Sequence, residues 1–196
     1  MCGIPQHGPR DPDAAIVCDD CLRHPRNWAS GRAALIYRDK GRRIVLSLKH
    51  GDRHDIARMA GLWMVRAISD ILTPDTLLVP VPLHWTRFFR RTFNQSALLA
   101  QAMAQQSTCE VLPDALRRRV RTASLDHSSP SERMHILRQT MEASAKGKIQ
   151  IGGRHIVIVD DVMTSGATFF EATRACLDAG AAKVSVVALA RAAKTP

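Results

Sequence analysis

Residues 155–168, His-Ile-Val-Ile-Val-Asp-Asp-Val-Met-Thr-Ser-Gly-Ala-Thr, constrain this chain more than any other stretch. Ile156 to Val159 is an unbroken β-branched run, the composition of a strand buried on both faces, as in a parallel sheet covered by helices. Asp160 and Asp161 follow at once. In open α/β sheets the ligand crevice lies outside the carboxyl ends of the strands, so two carboxylates there can accept hydrogen bonds from a vicinal sugar diol. The turn that follows is Thr164, Ser165, Gly166, Ala167 and Thr168. It offers three hydroxyls, and its glycine lets the backbone bend tightly. Phe169 to Ala179 reads as a helix, and amides at a helix start point at whatever anion occupies the turn.

This order of residues resembles the signature of type I phosphoribosyltransferases: four apolar residues, two acids, two apolar residues, then a loop of the form Thr-Ser-Gly-x-Thr. The resemblance implies a site for phosphoribosyl diphosphate (PRPP). The plainer reading of the same residues is an ordinary strand-turn-helix with solvated acids at its edge. Glycine-rich nucleotide motifs do not compete, because the chain holds neither Gly-x-Gly-x-x-Gly nor Gly-x-x-x-x-Gly-Lys-Ser/Thr.

A chain of 196 residues has room for one α/β domain and a small appendage. Hydrophobic residues make up 45%, and no apolar run approaches the roughly 18 residues of a membrane span. The first residues lack a basic region followed by an apolar core, so no secretory signal is expected and a cytoplasmic setting follows. The 28 Lys and Arg against 18 Asp and Glu leave a formal charge of +10. Anionic partners are implied, whether phosphate esters, nucleic acid or acidic protein surfaces. Aromatics are only 5% and do not alternate with bases in the manner that stacks single strands, which weakens direct nucleic-acid binding without removing it.

Composition divides the chain near residue 30. Residues 1–30 are rich in Cys, Pro, Gly, Asp and His and show no sustained period, whereas 31–196 alternates apolar strands with helical patterns. Strands are predicted at Ala33–Tyr37, Leu77–Val81 (stopped by Pro80 and Pro82) and Lys183–Ala190. Helices are predicted over Asp55–Ile71, Asn94–Gln106 and Ser131–Ser144. Arg42–Leu48 suits a helical turn or a strand. Residues 117–130, with Arg117, Arg118, Arg119 and Arg121, read as a mobile basic loop. The fold class is therefore α/β, a mainly parallel sheet with helices on both faces.

Cys18-Asp-Asp-Cys21 is a Cys-x-x-Cys pair, and Cys2 lies upstream at the spacing of a zinc ribbon. A full ribbon needs a fourth ligand. Its cysteine would fall before Met1, so either the chain starts late or His24 or His7 completes the set. Unmetallated cysteines and a redox pair are the rival readings, although a redox pair normally opens a helix after a strand. Cys109 and Cys176 stand alone in apolar surroundings and read as core thiols.

Taken together, the chain resembles the ComF family of competence-associated, phosphoribosyltransferase-like proteins. Its landmarks are the Cys-Gly-x-Pro and Cys-x-x-Cys-Leu head, Arg32 to Tyr37, Leu48 to Asp52, Val79 to His84, Phe93-Asn94-Gln95, Leu116 to Thr122, Ile158 to Thr168 and the Leu-Ala-Arg tail. The resemblance implies a zinc ribbon joined to a type I phosphoribosyltransferase fold. It also implies a link to natural transformation or the use of imported DNA, with single-stranded DNA or a competence helicase as partner. Two departures stand out: the ribbon lacks one cysteine, and Leu125 occupies a position where the family is expected to carry Gln.

The same resemblance assigns roles. Thr164 to Thr168 would bind the 5′-phosphate of PRPP or ribose 5-phosphate, and Asp160 and Asp161 the 2′ and 3′ hydroxyls, directly or through Mg²⁺. Arg87, Arg90 and Arg91, on the loop from Val81 to Asn94, would clamp diphosphate. Lys49 would reach the same anion, and the segment from Arg117 to Arg133 would close as a hood that excludes water. Zn²⁺ would sit on Cys2, Cys18 and Cys21. No motif names an acceptor, so transfer of phosphoribosyl and a catalytically silent binding module both stay open.

Overall fold

A computed structural model of the protein describes residues 2–4, 17–49, 53–83, 93–118 and 140–192. Along the chain these form α1 (Asp19–Arg23), β1 (Ser30–Ile36), α2 (Asp39–Lys49), α3 (His54–Ala67), β2 (Leu77–Pro80), α4 (Gln95–Ala104) and β3 (Glu110–Val111). Then come β4 (Leu116–Arg118), β5 (Met141–Ala143), α5 (Ala145–Ile151), β6 (His155–Met163), α6 (Ala167–Asp178) and β7 (Lys183–Arg191). Five strands make a parallel sheet in the order β1-β7-β6-β2-β3, while β4 and β5 pair antiparallel as a separate ribbon.

The β-branched run at 156–159 occupies the middle of this sheet because both of its faces are covered. Ile156 and Ile158 pack with Val79, Val184, Val186, Phe169 and the ribbon residues Leu116 and Met141. Val157 and Val159 point the other way, into Leu48, Met64, Leu99 and Met103 of α2, α3 and α4. Successive strand residues alternate faces, so one run of apolar residues serves two cores. Cys2, Cys21 and Trp28 belong to the layer that holds α6. Close approach explains Gly3, whose φ is +71° and where a Cβ would sit 2.8 Å from the backbone of Arg32 and Ala33.

Several expectations are refined. Residues 42–48 are helical, since Val45 and Leu48 dock on the core shared by α2 and α3. Strand β2 includes Pro80 as its last residue, paired with Val159. The Leu78 carbonyl faces β3, accepting from Leu112 N–H, whereas Val81 N–H donates to Val159 at 2.9 Å. By alternation Pro80 faces the β3 side, where that two-residue strand has already ended, so its missing donor leaves no gap in the ladder.

Two expectations are corrected. Residues 141–143 are strand and not the end of a helix: Met141 and Ala143 are buried, Glu142 lies between them, and they pair with Arg118 and Leu116. Alternation over three residues is too short to be read against the helical composition upstream. Arg117 and Arg118 likewise belong to β4 rather than to a mobile loop. The remainder of that basic segment and of the helix expected at 131–144, up to residue 139, lies outside the described residues. Cys109 and Cys176 are buried, as expected.

Candidate functional site

Neighbouring strands end at different heights at the carboxyl edge of the sheet. β2 stops at Pro80, opposite Val159, whereas β6 continues to Met163 and stays paired with β7 through Asp160↔Ala188 and Val162↔Ala190. Asp160 is thus the first residue of β6 beyond its β2 neighbour, and it lies within the strand rather than after it. Its Oδ1 accepts the Ser96 hydroxyl at 2.8 Å and the Asp161 amide at 2.9 Å. Ser96 is held in turn by Asn94, the cap of α4, whose Oδ1 accepts from Ser96 N–H at 3.0 Å and whose Nδ2 donates to the Val81 carbonyl at 3.0 Å. One asparagine therefore ties the end of β2 to the start of α4 and sets the serine over the acid.

Burial and the adjacent charge of Asp161 push the Asp160 carboxyl up to about 7, against the opposing pull of Ser96, the Asp161 amide and Arg118. Arg118 reaches this end of the sheet from β4, its Nε donating to the Pro82 carbonyl at 3.1 Å. Arg117, one residue earlier, points along the ribbon and pairs with its cross-strand partner Glu142 at 2.7 Å. The structure thus separates two arginines that the sequence presents as one cluster.

The turn after β6 is built around Gly166, whose φ of 83° is the left-handed conformation that an L side chain resists. A turn of this hand gathers successive amides at the first turn of α6. Ser165 Oγ accepts from Ala167 N–H at 3.4 Å, and the Gly166 carbonyl from Phe170 N–H at 2.8 Å. Gly166 and Ala167 are buried, Ser165 and Thr168 half-buried, and Thr164 exposed.

Two residues to which the sequence analysis gave no role meet this turn. Arg26 donates through Nη1 to the Ser165 carbonyl at 3.0 Å, and Arg191 donates through Nη1 to the carbonyls of Met163, at 2.9 Å, and Thr164. A cue existed for Arg191, a charge that closes the apolar run from Val186 to Ala190; Arg26 carried none. Asp160 and Asp161 lie in β6, and the turn residues 164–168 follow that strand directly. Arg87, Arg90, Arg91, Arg119 and Arg121, and the side chain of Lys49, lie outside the described residues.

The thiols of Cys2, Cys18 and Cys21 also converge, all three sulfurs lying within 4.8 Å of one another and those of Cys2 and Cys18 at 3.4 Å. Local structure explains half of this: the Cys18 carbonyl accepts from Cys21 N–H at 2.9 Å, so the pair sits on one helical turn. Sulfurs on a tetrahedral zinc, with bonds of about 2.3 Å, stand about 3.8 Å apart, so the cluster fits a metal ion that favours thiolates. Burial works to raise the Cys2 thiol, yet the Ile4 amide, the neighbouring cysteines and Arg191 hold it below its ordinary value. Burial lifts Cys21 to about 11. His24 is not part of the group; its ring is exposed and 3.6 Å from Asp20. His7 lies outside the described residues.

The profile of the phosphoribosyl transferase domain matches residues 94–196, from the Asn94 cap through β7. The DNA utilization protein YhgH of Salmonella typhimurium is 33% identical over 197 residues, spanning 97% of this chain and 82% of that protein. Competence protein F of Haemophilus influenzae is 26% identical over 180 residues, 89% of this chain and 78% of that one. Competence protein ComFC of Bacillus subtilis is 27% identical over 202 residues, 97% and 76% respectively.

Proposed function

The chain belongs to the ComF family of phosphoribosyltransferase-like proteins, linked to competence and DNA utilisation, and on that premise we propose that it binds PRPP or ribose 5-phosphate at the carboxyl end of β6. The observation that carries this reading is the continuity of acid and anion turn: Asp160 and the left-handed Gly166 stand on one strand-turn-helix, with Ser96 closing over the acid from α4. The amides at 164–168 take the 5′-phosphate. Asp160 and Asp161 accept from the ribose hydroxyls, and Arg118, with Arg87, Arg90 and Arg91, draws the diphosphate. Mg²⁺ fits the same carboxylates, since Asp160 Oδ2 makes no hydrogen bond among the described residues, and it would neutralise charge on the diphosphate.

In the transferase form of this proposal the bond from ribose C1 to diphosphate breaks, and a nitrogenous acceptor forms the new bond to C1. The names of the relatives support placing that chemistry, or ligand sensing by the same pocket, in the handling of imported DNA. A second reading rests on the charge of +10, which suits a silent pocket on a module that contacts single-stranded DNA or a competence helicase. Calorimetric titration with Mg²⁺ and PRPP tests the first reading without needing the acceptor. Saturable binding that is weakened at least tenfold by Asp160→Asn with Asp161→Asn, as expected on losing charge-assisted hydrogen bonds, supports it. Unchanged affinity in the folded double variant would overturn it.

A further inference from the structure

We infer that Arg26 and Arg191 are positioning residues for the anion turn, holding its carbonyls from behind so that its amides face the ligand. This deepens the phosphate-turn reading above and rests on it. In a trans peptide the carbonyl and the next N–H lie in one plane and point in opposite directions, and no peptide bond among the described residues is cis. Arg191 holds the carbonyls of Met163 and Thr164, and Arg26 that of Ser165. Fixing those three oxygens turns the N–H groups of Thr164, Ser165 and Gly166 away from the two guanidiniums. These are the donors that a left-handed glycine gathers for an anion.

Burial argues against an incidental role. Arg191 is 3% exposed, and the Arg26 side chain 7%. Arg26 pairs with Asp20, whereas Arg191 makes its hydrogen bonds to carbonyls, acts on the Cys2 thiol, and has no carboxylate partner among the described residues. A buried cation with no carboxylate beside it is costly, and the field of Arg191 falls on the turn as well as on Cys2, so an anion at the turn would offset it.

Trp28 and Asn27 complete the clamp. The Trp28 ring centre is 5.5 Å from the Arg26 guanidinium, and its Cη2 would lie 3.0 Å from a Cβ placed on Gly166. Asn27 Nδ2 donates to the Phe170 carbonyl at 2.9 Å, in the first turn of α6. The cysteine-bearing segment therefore reaches the ligand turn through Arg26, 139 residues away in sequence.

The test uses the full isotope-labelled chain, read by calorimetry with ribose 5-phosphate, by calorimetry with Mg²⁺-diphosphate, and by the amide resonances of Ser165 and Gly166. Arg26→Lys keeps the charge but cannot serve both Asp20 and Ser165, and it is gentler on folding than Arg26→Ala. In that variant, and in Arg191→Lys, ribose 5-phosphate affinity is expected to fall about tenfold. Both amide resonances should move in the unliganded protein, while Mg²⁺-diphosphate affinity holds. Wild-type protein that ignores ribose 5-phosphate would overturn the turn assignment itself. Binding by wild type with unchanged affinity in both variants would overturn only the positioning role, as would equal loss of both ligands, which marks general destabilisation.

Discussion

Ser96 donates to Asp160 across 2.8 Å, joining the first turn of α4 to β6 over 64 residues of sequence. That bond favours the ionised acid, while burial and Asp161 favour the protonated one, and the balance leaves Asp160 near neutrality.

The first expected outcome is a stability profile. With a folded value of about 7 against an ordinary 3.8, Asp160 keeps a proton that the unfolded chain has released. The native state binds more protons across that window, so stability falls as pH rises from about 4 to 7. Denaturant melts should show Asp160→Asn flattening this slope, by on the order of 4 kcal/mol across the window. Ser96→Ala, which removes the bond favouring ionisation, should move the Asp160 titration upward by about one unit in carboxyl NMR. A slope that survives Asp160→Asn would assign it to another group.

Gly166→Ala should be damaging in two ways. It forces an alanine to φ 83° and sets its Cβ 3.0 Å from Trp28. A cost of about 1 to 3 kcal/mol is expected in thermal or urea unfolding, with ribose 5-phosphate binding reduced beyond what the melt explains. Gly153→Ala offers the control, since its φ is +71° but a Cβ there meets nothing within 4 Å; it should lose stability and keep ligand affinity.

Neighbouring arginines should separate by function. Arg117 is 66% exposed and paired with Glu142, so Arg117→Ala should cost less than about 1 kcal/mol and leave PRPP binding alone. Arg118→Ala should weaken PRPP more than ribose 5-phosphate, because only PRPP carries the diphosphate. If the pair instead forms a nucleic-acid surface, both variants flatten the salt dependence of single-stranded DNA binding equally.

Cys18→Ser should abolish stoichiometric metal. Three thiolates within 4.8 Å make a strong site only while all three remain. Elemental analysis of wild type is expected to give about one zinc per chain, and stoichiometric zinc retained by the variant would end the metal-site reading.

The strand at Ile156–Val159, its acids, the turn and the helix after it were legible because each is decided locally: β-branching suits a pleated, covered strand, and a glycine marks the tight turn. The pairing of Cys18 with Cys21 was legible for the same reason, being one helical turn. The ribbon β4-β5 was not, since three alternating residues carry too little pattern to show that Met141 and Ala143 face the core.

Sequence by itself determined the parallel α/β fold and the residues of the turn after β6, which follow from short-range pattern, and the family, which follows from the resemblance of landmarks along the chain. Only the tertiary structure decided that Ser96 meets Asp160, that Arg117 and Arg118 part company, and that Arg26 holds the turn from the cysteine-bearing end. Such contacts depend on which faces are buried against each other. That choice is made by the summed burial of two cores and leaves no local mark on the residues that happen to meet.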